Sequence, residues 1–531
     1  MKPVSSLWIM SVFAALFAST PTTNAEWSSN PAVNLAVGDR TGEQAQPKVR
    51  STADGGCYIS WFDNSTGGYD VYLQRLDPAG DEQWAHNGVL LADRSFSSTE
   101  NYGLDVDTAG NAVLAFRDNR SGPTVITAVK VAPDGTMLWG AGGVQLTSGE
   151  DVHSPGITGT SDGNVVVGWT HDGSVKFQKL GAAGTPLWGA GVVLSDTGGA
   201  YFGFSDLHGS DAGSVIVSFV RWGPMFYDPK HLWTQKLSST GDTMWNSPGP
   251  HVVVFDGDSL QFGNYPPFVT DGNGGAVFSW YGVSPLQCYA QRVLADGSER
   301  FAHNGVPVST DTTRLRVSPS VSFKPATEET FVFWVEENSS QSQHGVYGQK
   351  LASDGTRQWT NTGKVLVPVG TNERSFVQNL QYGDGAMVFF FDSSGYGNDV
   401  IYGTRVDGNG DFMWPGDLIL ACSLPSEKMR LGADLSAGGD ALLAWADDRS
   451  DTGDVYAQNV DADGTLGGCA GAVEDFDCDG DIDLNDFALL AECLDGPDAG
   501  VLPDCEVTDL DDDFDVDLAD FSWFMLQFTG S

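Results

Sequence analysis

The chain reads as mainly all-β: an eight-bladed β-propeller closed by an N-terminal strand, followed by a small α-helical module. Three observations predict it. A turn glycine returns at blade spacing, an apolar strand precedes each return, and the strand missing after the last return has a counterpart before the first.

The segment Tyr72-Leu73-Gln74-Arg75-Leu76-Asp77-Pro78-Ala79-Gly80-Asp81-Glu82-Gln83-Trp84 serves as a probe. Its turn glycine, Gly80, recurs as Gly135, Gly184, Gly241, Gly297, Gly355, Gly410 and Gly464, about 49 to 58 residues apart, a propeller-blade period. Strands such as Phe177–Leu180 and Tyr347–Leu351 precede the turns. Trp139, Trp188, Trp245, Trp359 and Trp414 follow them, with Phe301 substituting once. Upstream lie apolar strands: Cys57–Trp61, Ala112–Phe116, Val165–Trp169, Val215–Phe219, Ala276–Trp280, Phe331–Trp334, Ala386–Phe391 and Ala441–Trp445. A weaker extended segment precedes each. Four short strands joined by Asp-Gly, Asn-Gly and Gly-Gly turns describe an antiparallel blade.

After Gly464 no Trp strand follows. The segment Trp27–Val33 matches Trp84–Leu90 in its Trp, Asn and apolar positions, so an N-terminal strand is expected to complete the last blade and remove the open sheet edges. Seven blades is the alternative. The expected organisation is a signal peptide over 1–25, a propeller over 26–468 and a small module over 469–531.

The first 25 residues carry one early charge, Lys2, an apolar stretch from Leu7 to Ala18, and a polar end at Thr23-Asn24-Ala25, the pattern of a secretory signal. The expected location is therefore secreted, extracellular or at the cell surface. No later segment approaches the ~20 apolar residues of a membrane span. The net charge is -43, and nucleic-acid binding is not expected, since phosphate contacts need clustered Lys and Arg. Seven cysteines in an exported chain permit disulfides. Cys493–Cys505 and Cys469–Cys478 are the pairings considered near the C-terminus; Cys57, Cys288 and Cys422 read as buried apolar residues.

Residues repeated around the ring read as packing or turn residues, and His86 and His303, which share a blade position, fall with them. The other histidines look isolated. The informative departures are insertions: Arg221–His231 in the fourth unit, with Trp222, Phe226 and Tyr227, and the linkers carrying Tyr201, Phe202, Phe262 and Tyr265. Loops between second and third strands share a face with the inter-blade loops. Trp222, Phe226, Tyr227, Tyr201, Phe262 and Tyr265 are thus candidates to stack on a polysaccharide or grip a protein ligand.

No catalytic residue is assigned. A glycosidase needs two carboxylates about 5 to 10 Å apart, and no pair stands out among so many Asp. A sialidase-type Asp box is also unmatched: in Asp134-Gly135-Thr136-Met137-Leu138-Trp139 the Asp and Gly are adjacent and Ala132 stands where Ser is required. The reading leans to a non-catalytic ligand-binding propeller. The alternatives are a polysaccharide-degrading glycosidase or lyase, as an enzyme a hydrolase of O-glycosyl bonds, and a protein-binding structural propeller.

Nineteen acids and no Lys or Arg lie between Glu474 and the C-terminus. Two twelve-residue loops organise them. The first runs Asp475 to Asp486, with Asp477, Asp479, Asp481 and Asp483 between and Gly480 at the sharp turn; the second runs Asp509 to Asp520, with Asp511, Asp513, Asp515 and Asp517 between and Phe514 at the turn position. This is the frame on which an EF-hand loop wraps oxygen ligands around Ca2+. Each loop ends in Asp and leads into an apolar run, at Phe487–Leu490 and Phe521–Phe524. The paired loops resemble a type I dockerin, in which each calcium loop leads into a single helix. That resemblance implies Ca2+ as the cofactor and a cohesin-type partner met at loop positions 10 and 11, here Leu484, Asn485, Leu518 and Ala519.

Overall fold

The computed structural model describes residues 27–148, 151–225, 227–246 and 251–467, and in the C-terminal segment 474, 476, 482, 484–494, 496–497, 505, 508–511 and 515–528. Eight four-stranded antiparallel sheets form the propeller. Their innermost strands are Gln44–Ser51, Gly103–Val106, Val152–Gly159, Tyr201–Gly209, Phe268–Thr270, Leu315–Lys324, Glu373–Tyr382 and Lys428–Leu435, which number blades 1 to 8. The second strand of each blade carries a buried apolar run. Cys57–Asp63 and Ala441–Asp447 are buried along their whole length, because both faces of that strand pack on neighbouring blades.

Blade 8 is assembled from both ends of the array. Its three inner strands come from residues 428–460, and its outer strand is Leu35–Gly38, paired with Asp454–Val460 in the register Leu35↔Ala457. The closing strand thus lies just downstream of the Trp27–Val33 match. Trp27 still occupies the repeat position, because the match concerns the tryptophan's docking contact and not the strand itself.

That contact recurs around the ring. The indole N–H of Trp27 donates to Pro78 O of blade 1 at 2.9 Å, and Trp84, Trp139, Trp188, Trp245, Trp359 and Trp414 make the same bond, at 2.9 to 3.2 Å, to the carbonyl two residues before the next turn glycine. The turn glycine is required twice over. Gly80 has φ 91°, and a Cβ there would sit 2.8 Å from the Trp27 backbone nitrogen, so both the left-handed backbone and the close approach exclude a side chain. At Phe301, which has no N–H, the Nε of neighbouring Arg300 donates to Ser353 O at 2.8 Å instead.

His86 and His303 are clasps between adjacent blades. His86 touches Glu82 and, at 2.9 Å, Asp39 beyond the closing strand; His303 touches Glu299 and, at 3.0 Å, Asp256. Hydrogen bonding to Glu82 is the largest cause that raises His86 to about 9.

In the C-terminal segment, helix α1 spans Leu484–Cys493 and helix α2 spans Leu518–Gln527. Each starts at the tenth residue of its acidic loop. Ile482 and Val516, the eighth residues of the two loops, are buried in one core with Leu490 and Phe524. Cys493 and Cys505 form a disulfide, while Cys57, Cys288 and Cys422 are buried thiols whose ionisation burial opposes. The Cys469–Cys478 pairing lies outside the described residues. No helix among the described residues is long and apolar enough to cross a membrane.

Candidate functional site

The inner strands enter the ring from the face that carries the inter-blade loops, and there their pairing is interrupted. Register breaks fall between Ala45 and Lys48, His153 and Gly156, Phe204 and Asp206, Val317 and Ser320, Ser375 and Gln378, and Met429 and Gly432. At five of these, a non-glycine residue adopts a left-handed backbone: Gln46, Ser154, Ser318, Phe376 and Arg430, with φ between 46 and 60°. Pro47, Pro155 and Pro319 follow three of them and have no N–H to continue the ladder. Bulges of this kind re-aim side chains and collect near functional sites. The channel mouth on this face is consequently lined by side chains that do not follow one repeat.

A cleft of about 590 Å3 opens on the same face over blades 2 to 5. Tyr201 and Trp222 face each other across an antiparallel pair, rings 6.0 Å apart. Glycines make room for them. A Cβ on Gly203 would lie 2.9 Å from both the Trp222 and Tyr265 rings, and one on Gly173 would lie 2.5 Å from Tyr201. Burial, then the charge of Glu100, raises the Tyr265 phenol above its ordinary value.

The polar side of the cleft comes from two blades. His153 Nδ1 lies 2.9 Å from Glu100 and Nε2 lies 2.9 Å from Asp151, and Glu100 also pairs with Arg117 at 3.0 Å. An imidazole held at both nitrogens by carboxylates donates to both only when it carries two protons. The lining holds two carboxylates, one imidazole and, among the described residues, no Lys or Arg. It suits a ligand ring with an apolar face and hydroxyl edges.

Three of the six sequence-predicted aromatics, Tyr201, Trp222 and Tyr265, therefore meet in one cleft. Phe262 lines a separate cleft of about 520 Å3 with Tyr281 and Phe376, under Lys230 Nζ at 5.2 Å. Tyr227 stands 70% exposed at the insertion tip, outside both linings. Phe226 lies outside the described residues. Sequence reasoning missed Glu100, Asp151 and His153. The usable signal was register: Glu100 and His153 stand one blade period apart, so neighbouring blades bring them together.

Among the described residues, two acidic groups in the C-terminal segment could hold a metal ion: Asp509, Asp511 and Asp520, and Asp515, Asp517 and Asp520, each with carboxylate oxygens within 4.8 Å of one another. The donors are hard oxygens. Asp520 is fully buried and accepts from the backbone N–H groups of Leu510, Asp511 and Asp517, at 2.6, 3.3 and 2.7 Å. Asp486, its counterpart in the first loop, is also fully buried. Asp475, Asp477, Asp479, Asp481, Asp483 and Asp513 lie outside the described residues. Leu484 and Leu518 are 70% and 74% exposed at the starts of α1 and α2, and Ala519 is exposed beside Leu518. Asn485 follows Leu484 in α1.

No family model matches the chain, and no curated protein matches it. Among solved structures it is similar to the polysaccharide lyase Uly1, at 11% identity over 84% of this chain and 94% of that one, with a TM-score of 0.42. An ulvan lyase bound to -[GlcA(1-4)Rha3S]- matches at 10% identity over 83% and 97%, with a TM-score of 0.44. An alpha-L-arabinanase from Penicillium chrysogenum complexed with arabinobiose matches at 11% identity over 81% and 97%, with a TM-score of 0.37.

Proposed function

We propose that the propeller binds a polysaccharide in the cleft of Tyr201, Trp222 and Tyr265, and that the C-terminal module is a calcium-folded docking unit. The observation that carries the first half is the convergence of two strand rings, Tyr201 and Trp222, and one loop ring, Tyr265, over Gly173 and Gly203, beside hydrogen-bonding groups at Glu100, Asp151 and His153. Aromatic faces stack on the apolar faces of sugars while the polar groups fix their hydroxyls. Affinity electrophoresis of the full chain through gels containing neutral polysaccharides tests this: a retarding polymer should lose its hold on Trp222→Ala by about tenfold, roughly 1.4 kcal/mol. Equal retardation of the two proteins would remove the cleft as the site.

His153 between two carboxylates favours a second reading, chain cleavage with His153 as proton carrier. Incubating the retarding polymer with the protein and following reducing ends and ultraviolet absorbance separates the readings. Shortening that His153→Ala abolishes makes the protein an enzyme, and a polymer of unchanged length makes it a binder.

For the module, the converging carboxylates, the hard donors and the matched burial of Asp486 and Asp520 support Ca2+. Bound calcium would relieve the repulsion within each loop and favour the folded module. The exposed pair Leu484 and Leu518 supports a cohesin-type partner at the helix starts. Chelation with EGTA should lower the melting temperature of the module, and Asp520→Ala should abolish the calcium response; a melt indifferent to EGTA would end the calcium reading.

A further inference from the structure

The central channel gathers three cations in a chain whose net charge is -43, with Asp434 also acting on one of them, Arg50. Its cavity, about 460 Å3, is lined by Lys48, Arg50 and Arg430 against Asp105 and Asp206, with His208 beside them. The carboxylates are engaged. Asp105 lies 3.9 Å from Arg50, and Asp206 is held by His208 at 3.1 Å. Two of the cations have no carboxylate of their own. Lys48 Nζ donates to the neutral amide of Asn101 at 3.0 Å, and Arg430 is an exposed arginine projected from a left-handed bulge at φ 60°. Burial, followed by the charges of Arg50 and Arg430, lowers Lys48 to about 8, with Asp206 opposing. Such crowding of like charge is what an oxyanion would relieve.

The channel adjoins both clefts. Phe204 lines the channel and the aromatic cleft, and Arg430 and Phe376 line the channel and the cleft of Phe262. A chain stacked on Trp222 can therefore extend over Lys48 and Arg430. The acidic lining of the cleft and the basic mouth of the channel ask for different units at the two places.

We propose that Lys48 and Arg430, backed by Arg50, form an oxyanion site at the channel mouth that takes a carboxylate or sulfate group. On the polysaccharide reading above, on which this clause rests, that group belongs to an anionic sugar next to a neutral one seated in the aromatic cleft.

The test titrates the full-length protein with sodium sulfate, with dextran and with sparsely carboxymethylated dextran of equal length, at low salt. Sulfate binding should fall about tenfold in Arg430→Gln and in Lys48→Met. It should be unchanged in Trp222→Ala, with melting temperatures confirming that each variant folds. Carboxymethylated dextran gripped more tightly than dextran, with the excess lost in Arg430→Gln and on adding salt, assigns the oxyanion to a saccharide. Sulfate bound while the two dextrans behave alike retains the site and removes the saccharide clause. Sulfate and carboxymethylated dextran both unbound, or binding indifferent to Arg430→Gln and Lys48→Met, overturns the proposal. Sulfate bound while no neutral polymer responds to Trp222→Ala would leave this site standing and retire the cleft.

Discussion

The two faces of the propeller are built on opposite rules. On the turn face, a tryptophan N–H reaches the next blade's turn in seven of eight seams, and where it is missing Arg300 supplies the bond. On the loop face, inner-strand pairing breaks in six blades, and the left-handed bulges present Gln46, Ser154, Ser318, Phe376 and Arg430 in place of one repeated residue. Repetition gives every seam the same stabilising contact; irregularity lets Glu100 meet His153 in the cleft, and Lys48 and Arg430 share the channel, once each. The turn face repeats one contact, and the loop face gathers the side chains of the clefts and the channel.

The largest effect should follow from breaking the turn face at its closing seam. Trp27→Ala removes a buried indole and its bond to Pro78, and should cost about 3 kcal/mol or more in urea unfolding. A midpoint unmoved by that change would mean the seams do not hold the ring. Trp222→Ala on the loop face, where the indole is only half-buried, should cost about 1 kcal/mol while affecting binding far more. Arg300→Ala should cost about 0.5 to 1 kcal/mol, the worth of one exposed hydrogen bond, and Phe301→Trp in that background should recover it.

The smallest effect is a pH response at the perimeter. His86 is raised to about 9 in the folded chain, so its clasp on Glu82 and Asp39 is fully present below the ordinary histidine value near 6.5 and is lost as pH rises through 9. Melting curves between pH 6 and 10 should show a small downward shift that His86→Gln removes. An identical shift in the variant would place the response elsewhere.

The same contrast decides what the sequence disclosed. The blade count was legible because the turn glycine, its preceding strand and the following tryptophan are local signals repeated in register. The closing strand was displaced by a few residues because the match followed Trp27, whose role is docking. Of the aromatic cleft, Tyr201, Trp222 and Tyr265 were visible as departures from the repeat. Glu100 and His153 were not, since each looks ordinary within its own blade and acquires a partner only from the ring's curvature. Tyr227 is as conspicuous in sequence but projects from the insertion's tip, outside both cleft linings. In the tail, the sequence placed an apolar helical run behind each acidic loop, at Phe487 and Phe521; the helices begin earlier, at Leu484 and Leu518, so that the buried acids Asp486 and Asp520 lie in their first turns.

Ring closure by an outer strand from the chain's start also makes the position of the break arbitrary. Gln458 donates to the Ser28 carbonyl at 3.0 Å, and a Cβ on Gly467 would lie 2.5 Å from the Ser29 nitrogen, so the two ends of the array already touch. A circular permutant that joins them and opens a loop between two other blades keeps every seam, every bulge and both clefts. The order in which the blades leave the ribosome is therefore free to change while the loop face stays the same.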